Sequence, residues 1–359
     1  MRFTGWAALL LLMFAGSLPA QEAELRCPGC TIEAELVATL IGPDEGFYKG
    51  QPPQINEGTW GDRWVVWTLT RLLLFDRDGE LAGTIGQEGQ GPMEWRNISE
   101  VVVVGDSLVV FDTGNARATV IGPDRKAVRS FTIPGFVLRD AEHLGGDRYA
   151  LAMHLRGDRS FAGRAVLVYA EGGEFFAKFD EFDLVPQLAS QRAYRKLAIV
   201  DGQIVTGSLD YALRKFTADG KLLGTAIRRP PQWTTPMFDG DFYGTYGADQ
   251  TPPSFFVDLA TDGDRLWTLT GVPAEDWRAS LFEVEEGVTV LDADAYRPLV
   301  ELVDPGSFDV VARAVFDGFP VSVLEGGHFV ISRTDDLGFV TLTINRLILR
   351  PPLKQKAKE

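Results

Sequence analysis

The stretch that decides the fold is DSLVVFDTGNARATVIGPDRKAVRSF, from Asp106 to Phe131. It contains three short runs of apolar and β-branched residues, separated by turns rich in Gly, Asp, Asn and Pro, which is the pattern of short strands. Weaker copies occur at Asp62–Ile85, Gly202–Ala226 and Asp264–Leu291. A unit of three or four small strands cannot bury both of its faces alone. The repetition therefore predicts a ring or stack of small sheets.

The first twenty residues have the three parts of a secretory leader. Arg2 supplies a short positive start, an apolar run extends from Trp6 to Phe14, and the segment ends in small residues at Ala20. The apolar run is too short to span a bilayer comfortably, and no later segment is apolar for long enough. We expect cleavage after Ala20 and export to the periplasm or beyond, with an uncleaved anchor as the alternative. Lipid attachment is not expected, because Cys27 stands too far behind the apolar run.

The composition excludes some classes of partner. The chain has 359 residues, of which 35 are basic and 50 acidic, for a formal net charge of −15. An acidic surface repels phosphate, so nucleic acid and anionic membranes are poor partners, whereas neutral or cationic ligands are compatible with it. The length suits an all-β ring formed as one domain. We expect a monomer with one domain over residues 21–352 and a disordered basic tail at Leu353–Glu359.

The two cysteines stand close together, as Cys27 and Cys30 in Cys-Pro-Gly-Cys. In an oxidising compartment this spacing favours a disulfide, because Pro and Gly form a turn that brings the thiols together. A redox pair would be expected at the start of a helix in a βαβ context, and a structural zinc site needs four ligands. The chain's three histidines are scattered, which disfavours zinc: His143, His154 and His328.

The chain divides into about six units, with little helical pattern outside Leu184–Lys196. The sixth unit, which begins at Val321, is short of one strand. Ile32–Leu40 has no other partner, so we expect it to complete this unit and close the ring, which removes free sheet edges. The five preceding units are Ile55–Gly86, Ile98–Ile133, Leu138–Phe182, Leu197–Arg228 and Phe255–Phe316.

Three stretches resemble known proteins. Ile85–Trp95 reads IGQEGQGPMEW, Leu108–Arg117 reads LVVFDTGNAR, and Tyr296–Phe316 runs from an apolar strand through Asp-Pro and a turn. Together they resemble the exported bacterial six-bladed β-propellers, a set similar to NHL-repeat proteins. Met93 and Trp95 depart from the usual Gly and Phe of the first motif. The resemblance implies an all-β six-bladed propeller and indicates little about activity.

Two of these motifs are interpreted as structural. Gly86–Pro92 lacks the Gly-Lys-Ser/Thr and the helix of a phosphate-binding loop, so its glycines are expected to serve a tight turn. Asp112, Asn115 and Arg117 form a turn between strands, where Asp and Asn side chains bond nearby backbone.

The leading functional prediction is a binding module for a protein, peptide or glycan, without catalytic residues or a bound cofactor. A rigid ring presents loops, and an aromatic-rich insertion at Arg229–Phe256 interrupts the repeat. Aromatic side chains are common binding hot spots, although these loops could equally pack over their own blades. The predicted ligand-binding residues are Trp233, Phe238, Tyr243, Tyr246 and Trp277.

Two alternatives remain open. Similar six-bladed lactonases hold calcium on the ring axis, which would make the protein a calcium-dependent hydrolase in which the metal polarises a carbonyl and activates water. A third interpretation is a structural partner of a larger envelope assembly. The calcium ligands implied by the resemblance are Glu100, Asn115, Asp140, Asp210 and Asp258.

Overall fold

The computed structural model describes residues 21–22, 25–43, 47–48, 53–133, 137–154, 163–181, 194–209, 211–231, 251–285, 288–291, 295–337 and 339–352. Within these residues the helices and strands consist of β-strands and one short 3-10 helix at Trp277–Ser280. In chain order the strands are β1 (Gln21–Glu22), β2 (Thr31–Ile41), β3 (Phe47–Tyr48), β4 (Gln54–Trp60), β5 (Arg63–Trp67), β6 (Leu72–Phe75), β7 (Leu81–Ile85), β8 (Gln87–Glu88), β9 (Glu94–Trp95), β10 (Ile98–Val104), β11 (Ser107–Asp112), β12 (Arg117–Ile121), β13 (Ala127–Thr132), β14 (Val137–Gly145), β15 (Arg148–His154), β16 (Arg164–Ala170), β17 (Phe175–Glu181), β18 (Arg195–Val200), β19 (Gln203–Ser208), β20 (Ala212–Phe216), β21 (Leu222–Arg229), β22 (Phe255–Asp262), β23 (Arg265–Pro273), β24 (Leu281–Glu285), β25 (Val288–Leu291), β26 (Tyr296–Val303), β27 (Val310–Val315), β28 (Phe319–Leu324), β29 (His328–Thr334) and β30 (Phe339–Arg350).

These strands form six antiparallel blades. Blades one to four are β4–β7, β10–β13, β14–β17 and β18–β21, blade five is β22, β23, β26 and β27, and blade six is β28, β29, β30 and β2. The innermost strands β4, β10, β14, β18, β22 and β28 each contact the next around a closed circle. The predicted six-bladed β-propeller is therefore confirmed.

The predicted closure of the ring is also confirmed. Strand β2 pairs with β30 from Thr31 opposite Arg350 to Ile41 opposite Thr341, and so supplies the outer strand of blade six. Blade six thus combines the first long strand of the described chain with its last strand. This pairing satisfies the backbone groups that β30 would otherwise leave at a free edge.

The residues before β2 cross the outer edges of two other blades. Gln21 pairs in parallel with Arg228 of blade four. The Arg26 amide then donates to the Val310 carbonyl of blade five, at 2.8 Å. The Arg26 guanidinium forms ion pairs with two carboxylates, Asp304 at 3.1 Å and Asp309 at 2.7 Å. A disulfide joins Cys27 to Cys30 directly before β2. We call residues 21–22 and 25–30 the N-terminal segment.

A buried apolar cluster lies between each pair of neighbouring blades. Because both faces of a blade are covered, its middle strands are apolar at successive positions rather than at alternate ones. In β6, for example, every residue from Leu72 to Phe75 is buried. Aromatic side chains fill much of this core, including Trp64, Trp95, Trp267 and Phe111. These cores hold the innermost strands at fixed positions around the axis.

Two predicted elements need correction. Arg195 and Lys196 begin β18, so the end of the predicted helix Leu184–Lys196 is wrong, and residues 184–193 lie outside the described part of the chain. Arg195 is buried and forms an ion pair with Asp180 at 2.6 Å. In blade five the third strand is β26, because β24 and β25 pair only with each other as an inserted hairpin. The copy predicted at Asp264–Leu291 therefore covers one blade strand and this hairpin.

Candidate functional site

The innermost strands share an irregularity near their first residues. The pairing register shifts by one residue in β10, β14, β22 and β28. Each of these strands therefore contains one residue that has no pairing partner on the neighbouring strand. Such a β-bulge re-aims the side chains beside it and is common next to functional sites. In each of these strands a polar residue follows the bulge: Glu100, Asp140, Asp258 and Ser322.

These polar residues meet at the axis of the ring. They line a cavity of about 290 Å³ at the end where the innermost strands begin. Glu100 and Asp140 also line a second cavity of about 40 Å³, which lies further along the strands with Glu142 and Glu325 in its wall. The carboxyl groups of Glu100 and Asp140 therefore lie on the inner side of the larger cavity. The remainder of its wall is mainly apolar and aromatic, and includes Ile55, Trp67, Leu138, Phe319, Val321 and Leu342.

Asp140 and Asp258 connect neighbouring blades. Asp140 Oδ2 accepts a hydrogen bond from the Leu197 amide of blade four, at 2.7 Å. Asp258 Oδ2 accepts from the hydroxyl of Ser322 and the amide of Val323, both in blade six, at 2.5 and 3.2 Å. Both aspartates are almost fully buried. Their position is thus fixed by the backbone of the next blade, which preorganises the cavity wall.

Lys196 lies between these two carboxylates. Its Nζ is 3.5 Å from Asp258 Oδ1 and 3.9 Å from Asp140 Oδ2. Burial alone would lower the pKa of Lys196, but the two aspartates together raise it well above its usual range. Burial raises the pKa of the neighbouring Tyr194 to about 12, and its hydroxyl donates to the Val257 carbonyl. Lys196 is therefore a fixed cation in the cavity wall.

Glu100 forms no ion pair among the described residues, although the charge of Lys196 acts on it from a longer distance. Its Oε1 accepts a hydrogen bond from the Val101 amide at 3.0 Å, and the residue is 7% exposed. Burial, followed by repulsion from Asp140, raises the pKa of Glu100 well above its ordinary value. Burial also raises the pKa of Asp140, to about 6. The cavity therefore contains acidic groups that share an unfavourable excess of negative charge.

The arrangement does not fit the calcium alternative. Glu100, Asp140 and Asp258 do come together, but the Lys196 ammonium lies between the two aspartates, where a metal would need their oxygens. Asn115 lies elsewhere, and Asp210 is outside the described residues. Within the described ranges no group of three or more His, Cys, Asp or Glu side chains could hold a metal ion.

Asn115 belongs to a structural turn, as the sequence predicted. Its Nδ2 donates to Asp112 Oδ2 at 2.6 Å and to the Gly89 carbonyl at 2.9 Å. Arg117 donates to the carbonyl of Gly91 at 2.8 Å and to that of Glu94 at 3.0 Å. The Asp-x-x-Asn-x-Arg motif therefore holds the glycine-rich loop against blade two.

The glycine-rich loop is occupied by its own residues. Glu94 Oε2 accepts hydrogen bonds from the amides of Gln90 and Gly91, at 2.9 and 2.8 Å. Gly86 has a φ of 84°, and a Cβ there would stand 1.8 Å from the Trp95 ring. Only glycine fits this position. Because Glu94 uses amides that a phosphate would need, the loop is a turn and does not form a phosphate site.

The predicted aromatic residues fall into two groups. Trp277 is buried, at 4% exposure, against Ala274 and Ala295, and the guanidinium of Arg278 lies 4.6 Å from its ring centroid. Its role in ligand binding stays a prediction. The other four lie outside the described residues, and their role is likewise untested: Trp233, Phe238, Tyr243 and Tyr246.

Lys196, Tyr194 and Trp67 are site residues that sequence reasoning missed. Lys196 was hidden by the helix prediction, although it stands near the start of a unit, as Glu100 and Asp140 do. The residues that follow the bulges do share a sequence signal. In ISEV, LRDA, FVDL and PVSV the first and fourth residues are apolar and the third is polar. Superposing the units on their first strands would have brought these four stretches together.

Comparison with known proteins supports the fold. No family model matches the chain. A crystal structure of a member of the DUF4221 family from Bacteroides vulgatus has a TM-score of 0.60 at 11% identity, over 90% of this chain and 99% of that one. A protein from Bacteroides fragilis predicted to be exported has a TM-score of 0.56 at 10% identity, over 92% of this chain and 99% of that one. At these identities the likeness shows the fold alone.

A curated human protein also matches part of the sequence. Inter-alpha-trypsin inhibitor heavy chain H1 is 27% identical over 135 residues, which is 38% of this chain and 13% of that protein. The match spans too little of that protein to transfer a role. No described helix is long and apolar enough to cross a membrane. The relation to NHL-repeat proteins stays a prediction.

Proposed function

We propose that the protein is an exported binding module that receives part of a protein, peptide or glycan ligand in its axial cavity, without a cofactor. The observation that carries this proposal is the cavity itself, about 290 Å³ in volume, with an apolar wall and a few converging polar groups. This combination is typical of ligand sites, and the volume lies near the lower limit of the roughly 300–1,000 Å³ range of such sites. A cavity of this size accommodates one side chain or one sugar ring of a larger ligand.

The polar groups favour binding over nucleophilic catalysis. A nucleophilic lysine needs a lowered pKa, whereas Asp140 and Asp258 raise that of Lys196. The two aspartates also accept hydrogen bonds from backbone amides of neighbouring blades, so at least one oxygen of each carboxylate already has a donor. A rigid wall of this kind reduces the ordering cost of binding.

The test is a binding screen with a variant that fills the cavity. Val321 is half-buried in the wall, so Val321→Trp places an indole in the cavity. Val128→Trp is the matched control, because Val128 is 62% exposed on the outer strand of blade two. Peptide and glycan arrays are probed with wild type and both variants. We expect that some ligands bind wild type and the Val128→Trp variant but do not bind the Val321→Trp variant. If the bound ligands were unaffected by Val321→Trp, the site would lie elsewhere and the proposal would be wrong.

A further inference from the structure

The axial cavity contains more negative than positive groups. Its wall has three carboxyl groups, those of Glu100, Asp140 and Asp258, and two basic groups, those of Arg139 and Lys196. Lys196 lies within ion-pair distance of the two aspartates only. Glu100 is more than nine-tenths buried and has no ion pair among the described residues. Its one described hydrogen bond, from the Val101 amide, uses Oε1. Glu100 Oε2 is therefore available to a donor that enters the cavity.

Two further atoms in the wall have unused hydrogen-bonding capacity. Asp258 Oδ1 is buried and accepts no hydrogen bond, since Lys196 Nζ at 3.5 Å is an ion-pair neighbour only. The Trp67 Nε1–H is also buried and has no acceptor, and Trp67 is 3% exposed. Buried polar atoms are normally satisfied by protein groups, ordered water or a ligand. Asp258 Oδ1 can therefore accept from a donor that enters the cavity, and the Trp67 Nε1–H can donate to an acceptor there.

The apolar and acidic parts of the wall are separated along the axis. Leu138 and Val321 precede Asp140 and Ser322 in their strands, and the carboxyl groups of Glu100 and Asp140 lie on the inner side, next to the smaller cavity. A ligand group that enters from the apolar side meets hydrocarbon first and carboxylates last. A lysine side chain has this distribution, with a four-carbon stem that packs on apolar surface and an ammonium at its end.

We propose that the cavity binds a lysine side chain of a protein or peptide ligand, with the ammonium donating to Glu100 and to Asp258 Oδ1; this rests on the proposed function. The stem packs along Leu138 and Val321. The resident Lys196 remains with its two aspartates. The ammonium supplies the positive charge that Glu100 lacks, so the site distinguishes a lysine from an uncharged side chain of the same length.

Binding of a cation is coupled to the ionisation of Glu100. Burial favours the protonated carboxyl, whose pKa is raised, whereas an ammonium favours the carboxylate. Binding therefore releases a proton, and affinity rises with pH while Glu100 is still protonated in the free protein. Other charged or titratable groups face the same two cavities: Arg139, Asp140, Glu142, Tyr194, Lys196, Asp258 and Glu325.

The experiment compares two blocked amino acids by calorimetry with the full chain. N-acetyl-lysine methylamide carries the ammonium, and N-acetyl-norleucine methylamide has a similar apolar stem without the charge. We expect the lysine probe to bind about tenfold or more tightly than the norleucine probe, the factor of a typical hydrogen bond to a charged group. Glu100→Gln should remove most of this difference and the proton release. Glu35→Gln, on the exposed outer strand of blade six, is the charge-matched control and should retain both.

The outcomes separate this inference from the proposed function. Equal affinity for the two probes, or an unchanged preference in Glu100→Gln, would overturn the lysine inference. If the two probes bound equally well and Val321→Trp abolished the binding of both, the cavity would still be the binding site. If neither probe bound and Val321→Trp changed no ligand in the array screen, both proposals would be wrong. Tighter binding of the lysine probe at pH 8 than at pH 6 supports the coupling to Glu100.

Discussion

Glu100 shows how single residues at the axis are placed against their own solvation preference. Its side chain is held by the bulge of β10 and is 7% exposed, beside a second buried carboxyl group, that of Asp140. Neither burial nor this neighbour favours a negative charge. Such a group contributes less to folding than a neutral side chain of the same shape would. Strongly perturbed carboxyl groups in a cavity are characteristic of functional sites.

Glu100→Gln is expected to stabilise the ligand-free protein above neutral pH. The pKa of Glu100 is raised in the folded state above its ordinary value of 4.5, so its contribution to stability is complete below that value and is lost as pH rises through the folded-state pKa. Glutamine imitates the protonated form and can still accept from the Val101 amide. We expect the variant to be more stable than wild type at pH 8 and to match it near pH 4.

Denaturant unfolding of wild type and variant from pH 4 to pH 9 measures this difference. Glu35→Gln serves as the control, since it removes the same charge from an exposed position and should give a difference near zero at every pH. A stability difference that stayed constant across the pH range would show that Glu100 does not titrate in this way.

At the scale of elements, the pairing of β2 with β30 determines whether blade six has a complete outer edge. Removal of residues 1–41 exposes the hydrogen-bonding groups of β30 from Thr341 to Arg350. Exposed edges of this length promote aggregation and leave the adjacent core open. We expect the truncated chain to lose cooperative unfolding and to associate. A chain that lacks only residues 353–359 is the control and should melt like wild type, as judged by circular dichroism and size-exclusion chromatography.

Much of this element structure was predictable because propeller strands are short and separated by turn residues. The closing strand was predictable as well, since Ile32–Leu40 had no partner in its own unit. Only some of the residues that line the axial cavity could be predicted from the sequence. Glu100, Asp140 and Asp258 stand at equivalent strand starts, but Asn115 follows a second strand and faces a loop instead. Lys196 was missed because a cation enclosed by carboxylates from other blades cannot be distinguished, in sequence, from one on a solvated helix.

At the scale of the whole molecule, the fixed charge of Lys196 predicts indifference to calcium. A tightly bound ion would raise stability by about 2.7 kcal/mol at a hundredfold excess over its dissociation constant. Because an ammonium lies between Asp140 and Asp258, we expect no such gain. Thermal melts after EDTA treatment and with millimolar calcium added back should coincide. A clear rise with calcium would contradict this arrangement and restore the hydrolase alternative.

The N-terminal segment and the closing strand also constrain the order in which the molecule can be assembled. Glu33 and Arg350, which form an ion pair across blade six, are 317 residues apart in the chain. The partner of the first long strand is thus synthesised after every other described strand. Contacts of such long range form slowly, because the loop that they close must be ordered first. Blade six therefore cannot be completed until β30 has been made, after the strands of all the other blades.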